Sequence, residues 1–214
     1  MDTTRFVVDP FYTGMPYAGN IDEKTLDCEY LLLTHAHQDH VMDAPRVQEL
    51  THATLVANYE MVNYFRSRHG IEKGIGMNVG GKLPFKSGFI KMVSAVHSSS
   101  FSDGTYGGLA NGYLIEGSKQ AIYFAGDTSL HADMKLLNLA TSKPIISVLP
   151  LGGLFTMHVD DALQAAQMIN SHTVIGCHFD TFPPIKINHQ EAIELFESSG
   201  KKLVLMSPGE NIEI

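Results

Sequence analysis

Short apolar runs alternate with polar, glycine-rich connections along the chain, and that rhythm predicts its elements. Residues 5–8 form a short strand that stops at Asp9-Pro10. Residues 11–28, rich in Gly, Pro, Tyr and Asp, are expected to be a loop. A strand over 29–33 leads into a polar stretch, then a helix over 40–50 with Asp39 near its first turn, where a carboxylate is favoured. A strand over 53–57 precedes Asn58, a helix cap for residues up to His69. Residues 70–81 read as a connection. Strands are expected over 82–85 and 89–96, paired around Lys86-Ser87-Gly88, and His97 follows them. A polar loop over 98–108 leads to a hairpin of 112–116 and 120–124. Helical pattern returns over 130–139, 160–170 and 189–199, between strands at 145–149, 173–177 and 203–206. Hairpins mixed with strand–helix units predict an α/β layered fold, two packed sheets covered by helices.

Composition narrows the class. A chain of 214 residues with 44% hydrophobic content is expected to form one domain, 1–214, whose core needs no staples. The net charge of −8 argues against nucleic acid as a partner, since that needs a cationic footprint. Cys28 and Cys177 are too few for a disulfide framework. The N-terminus lacks the apolar run of a signal peptide, and no apolar stretch approaches the roughly 18 residues of a membrane span. A cytoplasmic protein acting on a small molecule is the expectation.

The chemistry concentrates in Leu31-Leu32-Leu33-Thr34-His35-Ala36-His37-Gln38-Asp39-His40. A lone histidine is most often a surface or satisfied core residue, and a chance His-x-His pair says little. Three histidines and a carboxylate within six residues at a strand end are different. Clustering such side chains costs stability unless something compensates. A metal compensates by holding imidazole neutral and carboxylate ionised. Imidazole and carboxylate suit zinc, and also manganese, iron or nickel. Further along, His97, Asp127 and His178 also end or closely follow predicted strands. Strand ends of layered α/β folds converge on a crevice where sites form.

These residues resemble the metallo-β-lactamase superfamily of metal-dependent hydrolases. Thr34-His35-Ala36-His37-Gln38-Asp39-His40 is similar to its signature loop. Ala95-Val96-His97-Ser98, Ala125-Gly126-Asp127-Thr128 and His178 match the later motifs in order. Four stretches resemble a subgroup of small metal-dependent hydrolases related to ascorbate-phosphate lactonases. They are the run from Ile122 to Thr128, Leu149-Pro150-Leu151-Gly152-Gly153, Phe155-Thr156-Met157, and His178-Phe179-Asp180-Thr181-Phe182-Pro183-Pro184. The resemblance implies an αββα sandwich with a dinuclear site at its edge. In it His35, His37 and His97 hold one metal, Asp39, His40 and His178 the second, and Asp127 bridges them. It further implies zinc, with manganese or iron as alternatives, and a shared hydroxide that Asp39 helps to orient. A small ester, lactone or phosphodiester is the expected substrate. Family members usually begin with a strand hairpin ahead of the strand carrying Asp9, whereas eight residues precede Asp9 here. The expectation is therefore a fold without that hairpin, an open sheet edge, and self-association as a homo-oligomer.

Rival readings are a di-iron redox enzyme, a ribonuclease and a non-catalytic member of the fold. The first usually carries a carboxylate where His37 stands, the second an RNA-binding extension, and the third has lost ligands that are all kept here. His158 is expected either to line the pocket and touch substrate or to sit on the surface. His131 lies four residues after Asp127 and is expected near the site, while Ser98, Ser99 and Ser100 read as a plain polar loop. His52, His69, His172 and His189 read as surface or capping residues, and Cys177 as a buried thiol. Gly74 to Gly80 misplaces the last glycine of a dinucleotide loop, and Leu83 after Lys82 lacks the hydroxyl a phosphate loop needs.

Overall fold

The computed structural model describes residues 4–15 and 22–213. Part of the loop expected over 11–28 lies outside the described residues. The chain divides into two compact units, Met1–Gly81 with Ser98–Asn111 and Pro208–Ile214, and Lys82–His97 with Gly112–Ser207.

The first unit is built on a parallel sheet in the order β1-β2-β3-β4. Its strands are β1 (Phe6–Val8), β2 (Tyr30–Leu32), β3 (Thr54–Asn58) and β4 (Gly74–Met77). Leu31 to Leu33 and Leu55 to Ala57 are fully buried, so these strands read as continuous apolar runs and not as alternating ones. One face packs on Val47, Met61, Phe65 and Phe101. β1 pairs with β2 in register Phe6↔Tyr30 and has no second neighbour among the described residues.

Two expectations are corrected in this unit. The helix expected over 40–50 is split into α1 (Gln38–Val41) and α2 (Ala44–Thr51). Pro45 is the cause: it is tolerated in the first turn of α2, where its missing N–H has no partner to lose, but its ring clashes with the carbonyl four residues earlier, so α1 cannot run on into α2. The connection expected over 70–81 contains β4. Its glycines hid the strand from propensity, yet they permit it. A Cβ on Gly74 would lie 2.8 Å from Val62 Cγ1, and one on Gly76 would lie 3.2 Å from Tyr59 Cα. Both contacts belong to α3 (Tyr59–His69), which lies against the strand. Asn58 caps α3 as expected, accepting from Met61 N at 2.9 Å.

The second unit carries a seven-stranded sheet in the order β11-β10-β9-β8-β7-β6-β5. These are β5 (Lys82–Phe85), β6 (Gly88–Ser94), β7 (Asn111–Glu116), β8 (Ala121–Phe124), β9 (Ile145–Pro150), β10 (Thr173–Cys177) and β11 (Lys202–Leu205). The two expected hairpins are present as antiparallel pairs, Leu83↔Ile90 and Leu114↔Tyr123. Strands β8 to β11 run parallel, as strand–helix units require. The helical stretch expected over 130–139 is a 3-10 turn, Ala132–Leu136, followed by α4 (Leu137–Ala140). α5 (Val159–Ile169) buries an alanine-rich stripe and α6 (His189–Ser198) buries Ala192 and Phe196. Both pack on Tyr123, Leu149, Val174 and Leu203. Cys177 is half-buried, not the buried thiol expected, and no disulfide forms among the described residues.

Candidate metal centre

Each unit presents a cluster of metal-ligating side chains at its strand ends. In the first unit, β2 ends at Leu32, and the chain turns through Leu33 and Thr34 into the histidine loop. Asp9, just past β1, organises that loop. Its Oδ1 accepts from Thr34 N at 2.8 Å, and its Oδ2 accepts from Thr34 Oγ1 at 2.5 Å. The same Oδ2 lies 2.9 Å from His40 Nδ1. The Thr34 hydroxyl hydrogen is engaged by Asp9, so Oγ1 accepts from His35 Nδ1 at 3.0 Å. Both imidazoles are therefore protonated on Nδ1 and keep a lone pair on Nε2, the tautomer a metal needs. His35 is fully buried and His40 nearly so.

Those lone pairs meet further donors. His35 Nε2 lies 3.0 Å from His37 Nδ1. His37 Nε2 reaches Ser98 Oγ at 3.3 Å, which leaves Nδ1 as an acceptor when Nε2 carries the proton. Two facing acceptors repel each other unless a cation or proton lies between them. His40 Nε2 lies 3.6 Å from Asp39 Oδ2. Oxygen and neutral imidazole nitrogen form the donor set of a borderline divalent cation, so the residues fit the metal that the motif implies.

In the second unit, Asp127 follows β8, His97 follows β6 and His178 follows β10. Asp127 is buried, and its Oδ2 faces His178 Nε2 at 3.2 Å and His97 Nε2 at 3.7 Å. The first is at the upper end of hydrogen-bond range and the second is beyond it. Thr128 ties the segments together: its Oγ1 accepts from Val96 N at 3.0 Å, and Ser129 N donates to Val96 O at 3.2 Å. The backbone before His97 is thereby locked to the backbone after Asp127. His178 has φ +52°, a left-handed conformation costly for a residue with a Cβ. Such strain persists where the surroundings over-determine it, as at functional sites.

The structure thus brings His35, His37, Asp39 and His40 together in one unit, and His97, Asp127 and His178 together in the other. The sequence reading missed Asp9 as a site residue. Its signal was present, an Asp-Pro at a strand end, and its φ of +45° suits an aspartate better than most side chains. Ser98 and Ser99 are more than a polar loop. Ser99 Oγ accepts from Ala36 N at 3.2 Å and donates to Gly107 O at 3.1 Å, stapling the 98–108 loop to the histidine loop. His131 is half-buried, and burial lowers its pKa below the usual histidine range. His158 is exposed, with Nδ1 3.0 Å from Asp160 Oδ1, and it borders a cleft of about 320 Å³ together with Lys186, Asn188 and Glu191. Its hydrogen bond to Asp160 holds that carboxyl below the usual range. His52, His69, His172 and His189 are exposed. His52 is the left-handed C-cap of α2, and His69 and His189 are the end residues of α3 and α6.

Comparison with known proteins fits these clusters. Residues 4–179 match the beta-lactamase superfamily domain. The chain belongs to that superfamily and has its α/β layered fold. A UPF0173 metal-dependent hydrolase from Flavobacterium johnsoniae is 48% identical over 213 residues, 98% of this chain and 92% of the relative. One from Christiangramia forsetii is 46% identical, covering 97% and 91%. The solved structure of a metallo hydrolase from the archaeon Ignicoccus hospitalis superposes with a TM-score of 0.86 at 30% identity, covering 99% of this chain and 91% of that one. The chain is accordingly a metal-dependent hydrolase. Among the described residues no helix is long and apolar enough to cross a membrane.

Proposed function

We propose that the seven side chains serve one pair of divalent cations in a hydrolase of small esters, lactones or phosphodiesters. His35, His37 and His97 hold the first cation, Asp39, His40 and His178 hold the second, and Asp127 bridges them. Zinc is the preferred metal, with manganese and iron as alternatives. The observation that carries this reading is the pair of imidazole Nε2 atoms turned toward one buried carboxylate oxygen of Asp127, at 3.2 and 3.7 Å. The tautomers set by Asp9 and Thr34, and the membership of a metal-dependent hydrolase superfamily, support it too.

When bound, the cations supply a water of lowered pKa and positive charge against the oxygen that gains charge during cleavage. The chain's own residues supply position. Asp39, held near His40, accepts a hydrogen bond from the attacking water and orients it. Asp9 and Thr34 keep His35 and His40 from rotating. His158 contacts the non-reacting part of the substrate. No serine or cysteine nucleophile is needed. A cytoplasmic location and self-association belong to the same proposal, the first on two cysteines that form no disulfide framework and the second on β1, which pairs on one side among the described residues.

Elemental analysis of protein purified without added metal, beside Asp127→Ala, tests the reading. About two equivalents of zinc or manganese per chain are expected. The variant should lose at least one equivalent and its hydrolytic activity. Full metal content in Asp127→Ala refutes the bridging role, and two equivalents of iron point instead to redox chemistry.

A further inference from the structure

The proposed ligand His178 stands at the head of a loop whose geometry needs support. His178 has φ +52° and Asp180 has φ +62°, two left-handed residues with side chains within three positions. Such a path is disfavoured for L-residues, so it must be held from outside. Three contacts hold it. Asp180 N donates to Ile185 O at 3.0 Å, closing the loop on itself. Asp180 Oδ1 accepts from Ile187 N at 3.0 Å. Asp180 Oδ2 lies 2.6 Å from His189 Nε2, the shortest of the three and the one that reaches α6. The His189 ring also meets Phe179 edge-on, with centroids 5.5 Å apart. From the other side Gly152 presses on His178. A Cβ there would lie 2.4 Å from the His178 carbonyl oxygen, so only glycine permits the approach.

We infer that Asp180 and His189 act as positioning residues, a clamp from α6 that sets the direction in which His178 points at Asp127. The inference rests on the ligand role proposed for His178. His189 is exposed at the first position of α6, as a surface or capping residue would be. Its ring nevertheless meets the two residues that directly follow His178. Asp180 also suits the conformation, because aspartate and asparagine tolerate the left-handed region better than other side chains. Substitution by glycine removes that conformational cost entirely. Glycine therefore separates relief of strain from loss of the clamp.

The test is Zn²⁺ affinity of metal-stripped protein, measured by competition with a chromophoric chelator. His178→Ala sets the scale, and each variant is also melted without metal. Asp180→Gly and His189→Ala are expected to weaken the weaker-held zinc about 10–100-fold, the usual effect of removing a group that orients a ligand. Their metal-free melting should stay close to that of the parent. Asp180→Asn should recover most of the affinity. Its oxygen still accepts from Ile187 N, and the exposed His189 can switch tautomer to accept from the new amide. Affinity unchanged in Asp180→Gly and His189→Ala, while His178→Ala loses zinc, overturns the clamp alone. Unchanged affinity in His178→Ala overturns the ligand assignment, and the clamp with it. Equal losses in Asp180→Gly and Asp180→Asn also count against the clamp, because they leave the hydrogen-bond geometry without a role.

Discussion

At the residue scale, protons are placed before any metal is considered. Asp9 takes two donors on one oxygen and a backbone N–H on the other, and the order His35, Thr34, Asp9 runs in one direction only. Asparagine at position 9 is the informative change. It keeps an oxygen for Thr34 N and tolerates the same backbone. It also places an amide where His40 and Thr34 both need an acceptor, so His40 must adopt the other tautomer. Asp9→Asn should lower Zn²⁺ affinity about 10–100-fold, measured by chelator competition, with little change in the metal-free melting temperature. An affinity within twofold of the parent would mean that the imidazoles choose their tautomers without Asp9.

At the element scale, Asn58 shows how a helix cap becomes part of a site's scaffold. Its Oδ1 caps α3, while its Nδ2 donates to Gly107 O at 2.7 Å and Leu109 O at 3.0 Å. The same loop carries Ser98 and Ser99, which touch the histidine loop. Removing the side chain loses a cap, takes the amide donor from Leu109 O and leaves Gly107 O with Ser99 Oγ as its donor. Asn58→Ala should cost about 2–4 kcal/mol, read as a shift of the urea midpoint at constant slope. Asn58→Asp keeps the cap and loses the donors, and it should be destabilised as well. If the aspartate variant is as stable as the parent, the cap alone matters. The helix pattern around position 58 was legible in sequence because capping is local. The tie to the 107–109 backbone was not, because it joins residues about fifty positions apart.

At the scale of the whole molecule, metal and stability are linked. A cation that binds only the folded chain stabilises it by mass action, about 2.7 kcal/mol at a hundred times its dissociation constant. Buried, clustered imidazoles make this chain a strong case, since without a cation they crowd together at a cost. Stripping the protein with a chelator should lower its melting temperature by roughly 5–10 °C for a chain of this size. Added Zn²⁺ should restore it. A melting curve that ignores both treatments would separate the clusters from the fold's stability and weaken the case for resident metal.

The sequence by itself determined the local elements and the chemistry. Apolar runs marked β2, β3, β9 and β10, turn residues at Lys86-Ser87-Gly88 and Gly117-Ser118-Lys119 marked the hairpins, and Asn58 marked the start of α3. His35, His37, Asp39 and His40 were legible because four ligating side chains follow one strand, and His97, Asp127 and His178 because each follows another. Periodicity and propensity act over a few residues, so they reach this far. The tertiary structure decided what depends on distant neighbours. β4 exists because its backbone pairs with β3, and its glycines let α3 lie against it. Asp9 matters because β1 pairs with β2 and brings its carboxylate to Thr34 and His40. Asp180 and His189 matter because α6 returns to the loop that follows β10. Such contacts join residues far apart in the chain, and no local pattern encodes them.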